Sequence, residues 1–129
     1  MTKYDPGIDQ PADMWLASSE ADRIAAVEAY HRHHRVRLPR LTLHATIHTV
    51  VENQLALGEP VVIDALARLR SEGLTRHEAI HAIGMVLAEQ IYDVLKDQGG
   101  TKSDLNKPYL DRVRQLTAEQ WRQSGESGD

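Results

Sequence analysis

Apolar residues along this chain recur at three- and four-residue steps, and the recurrence breaks at a few prolines and glycines. Ile24, Val27, His31 and His34 share one face of a first segment that begins near residue 15. Ser18 or Ser19 is placed to cap it, and Glu20 and Asp22 suit the positive end of its dipole. Pro39 disfavours helical geometry in Leu38, so this helix ends in "RLPR". Leu43, Ile47, Val50, Val51 and Leu55 form a second stripe. It predicts a helix over about 41–57, with Gly58 as its stop and Pro60 opening the next. That third helix, "PVVIDALARLRSEG", is short and ends at Gly73. A fourth starts at Thr75, runs through Ile80, Ile83, Leu87, Ile91 and Val94, and ends near "DQGG". A last helix, about 108–120, carries Leu110, Val113, Leu116 and Trp121.

No stretch alternates as a strand does; "VVI" at 61–63 follows a proline and continues in helical spacing. The predicted fold is all-α, a compact bundle of about five helices with up-down connections. Residues 1–14, with their two prolines, glycine and acids, read as an irregular N-terminal arm. Residues 15–123 form a single helical domain, and 124–129 a disordered tail.

In an up-down bundle the second and fourth helices run parallel. Each carries a histidine pair near its start, His44 and His48 in one, His77 and His81 in the other. The pairs are therefore expected at one level. The first helix ends in "YHRHHRV" and brings His31, His33 and His34 towards the same end, so all seven histidines are expected at one pole.

On a helix, residues four apart lie about 40° apart around the axis. His44 and His48 fall within the stripe of Ile47, Val51 and Leu55, with Glu52 at its edge. His77 and His81 share the face of Gly84 and Ala88, beside Ile80 and Ile91. A buried imidazole must satisfy two ring nitrogens, and neighbouring buried imidazoles disfavour each other's charge. A divalent metal takes up such lone pairs, and the i, i+4 spacing brings two imidazoles to one ion. Gly84 and Ala88 are small enough for a neighbouring helix to approach closely. Metal ligands are thus expected among His44, His48, His77, His81 and Glu52. The competing reading is a hydrogen-bonded polar layer with Glu52, Asn53 or Gln54.

Composition narrows the chemistry. The chain has 129 residues, no cysteine, no phenylalanine and a net charge of −4. Its length allows burial of roughly two-thirds of the unfolded surface without staples. Without cysteine, thiolate metal sites and cysteine nucleophiles are excluded. No segment resembles a signal peptide or a membrane span, and a cytoplasmic setting is expected. The negative charge, and the lack of basic residues interleaved with aromatics, predict no nucleic-acid partner.

Three resemblances bear on function. "HEAIH", residues 77–81, resembles the zincin helix, in which two histidines hold zinc and a glutamate activates water. That likeness implies zinc on His77 and His81, with Glu78 as the catalytic base. Gly84 extends it towards the metzincin pattern, but Leu87 stands where the third histidine would be. His48 with Glu52, and Glu78 with His81, are similar to ligand pairs of hemerythrin-like and ferritin-like bundles, which implies a di-iron site. The pairing of "LHATIHTVVENQ" with "RHEAIHAIG", across roughly residues 40–95, resembles an uncharacterised family of small bacterial helical proteins, and implies no reaction.

Other readings compete. Thr75 and Glu78 have the spacing of a capping box, which sets a cap against a general base. His31, His33 and His34 lie near a helix C-terminus, where imidazolium is favoured, and are expected there as helix-end residues. Arg32, Arg35, Arg37, Arg40 and Arg76 are expected on a solvated face, with recruitment of an anion as the alternative. The expected function is therefore a transition-metal-binding helical bundle, with zinc first and iron second, which hydrolyses a small substrate if a coordination position stays open. Alternatives are a non-catalytic structural, storage or di-iron site, and a metal-free interaction module, including a homodimer.

Overall fold

The computed structural model describes residues 3–33, 41–96 and 106–124. Seven helices and no strand occur among the described residues: α1 (Ala12–Ala17), α2 (Glu20–His33), α3 (Leu41–Ala56), α4 (Pro60–Ser71), α5 (Arg76–Lys96), α6 (Asn106–Gln115) and α7 (Ala118–Gln123). The all-α class agrees with the apolar periodicity, but the count exceeds the expected five. Two helices are split by hydroxyl caps. Ser18 takes an extended conformation and ends α1, and Ser19 Oγ then accepts from the Asp22 backbone N–H at 3.1 Å to start α2. Thr117, also extended, separates α6 from α7 and forms a capping box with Gln120. The arm is correspondingly shorter than the expected 1–14, because α1 begins at Ala12. Residues 125–129, most of the expected tail, lie outside the described residues.

Two apolar clusters hold the helices together. The larger gathers Val51, Val62, Leu69, Ile80, Ile83, Val113 and Trp121 from α3 to α7. The smaller packs Tyr4 of the arm and Trp15 of α1 against Val27 of α2 and Ala45 of α3. Arg68 closes the far end of α6, donating to the carbonyls of Val113 at 3.1 Å and Leu116 at 2.7 Å.

The senses of the central helices follow from which residues meet. Between α2 and α3, Thr42 bonds Glu28, His44 meets His31, and Asn53 bonds both Arg23 and Glu20, so the pair is antiparallel. Between α3 and α5, Ile47 abuts Gly84, His48 meets His77 and His81, and Glu52 bonds Arg76. These two helices therefore also run in opposite senses, which corrects the expected parallel arrangement. The cause lies in the connection. Gly58, at φ 79°, turns the chain away from α3, so α4 packs mainly on α5 and α6 and does not complete a hairpin with α3. Gly73, at φ 105°, then sends α5 back across α3. A β-carbon at Gly84 would lie 3.1 Å from Ile47 Cγ2, so the two backbones approach closely at this crossing. The histidine pairs still meet, because the first halves of α3 and α5 overlap.

Candidate metal centre

Four helical positions converge beside the crossing of α3 and α5. His31 comes from the last turn of α2, His44 and His48 from the first half of α3, and His81 from the second turn of α5. One ring nitrogen from each lies within 4.8 Å of the other three. His31, His48 and His81 are buried and His44 is half-buried. Tetrahedral zinc holds nitrogen at about 2.0–2.1 Å, which sets ligand atoms about 3.4 Å apart. The Nε2 atoms of His31 and His44 are already 3.1 Å apart. The remaining nitrogens, within 4.8 Å of one another, would have to draw in by up to about 1.4 Å to reach that spacing.

Groups outside this cluster fix the rings. The Val27 carbonyl lies 2.8 Å from His31 Nδ1 and can only accept, so His31 Nδ1 carries the hydrogen and Nε2 presents a lone pair to His44. A chain of bonds does the same for His48. Arg76 grips the Glu52 carboxylate through Nη1 and Nη2, both at 2.9 Å. The Tyr4 hydroxyl donates to Glu52 Oε2 at 2.8 Å. With its proton spent on Glu52, Tyr4 Oη accepts from His48 Nδ1 at 3.3 Å. His48 Nε2 is then a lone pair. It is buried and finds no hydrogen-bond partner among the described residues. Leaving such an atom unsatisfied costs about 1–3 kcal/mol. Metal-binding histidines use this pattern, with the second ring nitrogen held by a carbonyl or a carboxylate-linked partner.

The electrostatics agree. Burial, and then the neighbouring rings of His81, His31, His44 and His77, hold the His48 imidazole well below its ordinary protonation range. A neutral ring is what a metal needs. Burial and the Glu52 carboxylate raise the Tyr4 phenol, which therefore stays protonated and remains a donor. Burial opposes the Arg76 cation, but bonds to Glu52 and Asp9 more than offset it and hold Arg76 charged.

The residues expected at the site divide into two sets. His44, His48 and His81 stand in the four-nitrogen group. His77 stands beside it, its ring centroid 4.8 Å from that of His81 and 5.4 Å from that of His48, in a T-shaped contact with Tyr30. Glu52 is not in the four-nitrogen group and is held in the bonds to Arg76 and Tyr4. Glu78 is folded back on Thr75: its Oε1 accepts from the Thr75 N–H at 2.8 Å, and its own N–H donates to Thr75 Oγ1 at 3.1 Å. The capping box expected as the alternative is thus formed, and "HEAIH" supplies one nitrogen to the group. Arg76, expected on a solvated face, is buried in an ion pair. Arg32 is exposed; His34, Arg35, Arg37 and Arg40 lie outside the described residues.

His31 was expected as a helix-end residue and is instead fully buried within the group. The signal was present, since His31 continues the face of Ile24 and Val27. Tyr4 was missed altogether, because nothing local in "TKYDPG" marks a buried aromatic.

A cavity of about 110 Å³ reaches the centre between α3 and α5, lined by His44, His48, His81, Ile47, Gly84 and Met85. Comparison with protein families, with characterised proteins and with solved structures finds no match for this chain. Sequence and geometry therefore carry the functional reading. No described helix is long and apolar enough to cross a membrane.

Proposed function

We propose that this protein binds one divalent transition-metal ion through His31, His44, His48 and His81. The observation that carries the reading is the buried His48 Nε2, which has no hydrogen-bond partner among the described residues. It sits in a group of four imidazole nitrogens, its tautomer set from outside by Tyr4, Glu52 and Arg76. Four imidazole nitrogens suit tetrahedral zinc first. Iron comes second, because Glu52, the carboxylate expected as a ligand, is committed to Arg76. Four protein ligands saturate a tetrahedral ion, so the favoured role is to hold metal or to stabilise the bundle. A cytoplasmic, bacterial setting belongs to the same proposal, as does kinship with the uncharacterised helical family.

Hydrolysis of a small substrate is the second reading, favoured by the cavity on the His44, His48 and His81 side. It requires one imidazole to yield its place to water and Glu78 to leave Thr75.

The test is metal analysis of protein purified without a histidine tag, before and after dialysis against zinc. One ion per chain is expected. His31→Ala and His48→Ala should lose it, while His77→Ala keeps it. Binding well below one ion per chain after reconstitution, or equal dependence on His77, overturns the assignment. Zinc at a hundredfold excess over its dissociation constant should add about 2.7 kcal/mol of stability.

A further inference from the structure

We propose that a second cavity, on the far side of Glu52 and Arg76, binds a small monocarboxylate with an apolar body. The cavity has a volume of about 340 Å³ and lies between the arm, α3 and α4. That is at the low end of the roughly 300–1,000 Å³ of small-molecule sites, so the ligand is no larger than a short aliphatic chain or a single ring. Leu55 and Ala56 of α3, with Leu66 and Ala67 of α4, give it an apolar wall. Its polar end holds two buried charges, Arg76 at 4% exposure and Glu52 at 1%.

The sign of the ligand's charge follows from how Arg76 is used. Its Nη1 and Nη2 edge is taken by Glu52 and by the Pro6 carbonyl, at 2.8 Å from Nη1. Its Nε bonds the Asp9 carboxylate at 2.7 Å, and that side chain is 78% exposed. An exposed carboxylate from an irregular arm thus sits on a buried guanidinium at the end of an apolar cavity. Asp9 occupies the place that a ligand carboxylate would take. With Asp9 displaced, Arg76 and Arg70 outweigh Glu52 by one positive charge, so the ligand carries one negative charge. Carboxylate and guanidinium are also matched in shape. This site does not depend on the metal reading, since none of the four imidazoles lines it.

Titration with hexanoate, followed by backbone amide NMR on the full chain with and without zinc, tests the proposal. Hexanoate should bind saturably and shift amides of the arm and α4 in either state. Acetate, lacking the apolar body, should bind more than about tenfold more weakly. Hexylamine should not compete. Asp9→Ala removes the internal competitor and should tighten hexanoate about two- to fivefold, the range of an ion pair with an exposed partner. Ala67→Phe should abolish binding, and Arg70→Glu, at an exposed rim position, should weaken it without loss of fold. Absence of saturable binding in both the native chain and Asp9→Ala overturns the proposal. So does equal binding of hexylamine, or weaker binding in Asp9→Ala. Loss of zinc binding with hexanoate binding intact would sink the metal reading alone.

Discussion

Replacing Tyr4 with phenylalanine removes one oxygen and should affect two properties at once. Tyr4 Oη donates to Glu52 at 2.8 Å and accepts from His48 Nδ1 at 3.3 Å. The ring itself, packed among Trp15, Tyr30 and His48, is conserved by the change. A hydrogen bond to a charged group contributes about 1.5–3 kcal/mol. Glu52 keeps both bonds to Arg76, which softens that loss. The His48 Nδ1 hydrogen, however, is left buried with no acceptor. A destabilisation of about 2 kcal/mol is therefore expected in the metal-free protein, read from urea unfolding with an unchanged m-value. His48 also loses the group that fixes its tautomer. Loss of such an outer partner weakens metal binding about 10- to 100-fold, to be measured by competition with a chromophoric chelator. An unchanged zinc affinity alongside the stability loss would refute the claim that Tyr4 orients His48. No change in either quantity would refute the whole bond chain.

Three further outcomes are expected. Folding depresses the His48 protonation constant below its ordinary 6.5, so below that pH the unfolded chain binds more protons. Metal-free stability should thus be full above about pH 6.5 and fall as the pH is lowered towards the folded-state value. A urea midpoint that stays level or rises between pH 7 and pH 5 would contradict this sign. Glu78→Gln keeps an acceptor for the Thr75 N–H and should leave stability within about 0.5 kcal/mol. Glu78→Ala keeps the Thr75 hydroxyl cap but loses the reciprocal bond to the Thr75 N–H, and should cost about 0.5–1 kcal/mol. Both should retain full zinc stoichiometry by elemental analysis. Gly84→Val forces side-chain atoms against Ile47 Cγ2, where even a β-carbon sits at 3.1 Å. It should cost about 1–3 kcal/mol by urea unfolding and weaken zinc binding by separating α3 from α5.

Local order was largely legible in the sequence, and relative placement was not. The stripes of α3 and α5 are tertiary burial patterns written at helical spacing, so His44, His48 and His81 could be assigned inward faces directly. The breaks at Ser18 and Thr117 were harder. α1 and α7 are each less than two turns long, too short to show an apolar periodicity of their own. The sense of α5 relative to α3 depends on how α4 departs after Gly58, which no periodicity within α3 or α5 records. For His31 the helix-end position and the Ile24–Val27 face give opposite readings, and burial follows the face. Glu52 lies on the expected helix edge but is held by Arg76 and Tyr4, both distant in sequence. Such a contact appears only once the arm docks.

The four imidazoles are separated in the chain by as many as fifty positions, and His81 is made last. α2 and α3 can pair as soon as both are synthesised, but they bring only three of the nitrogens together. Arg76, which anchors the outer chain behind His48, also arrives with α5. A nascent polypeptide therefore cannot complete the four-nitrogen group until α5 has left the ribosome. Under the proposed metal reading, uptake would be a late event in biogenesis, and cofactor content would report how many molecules have docked α5.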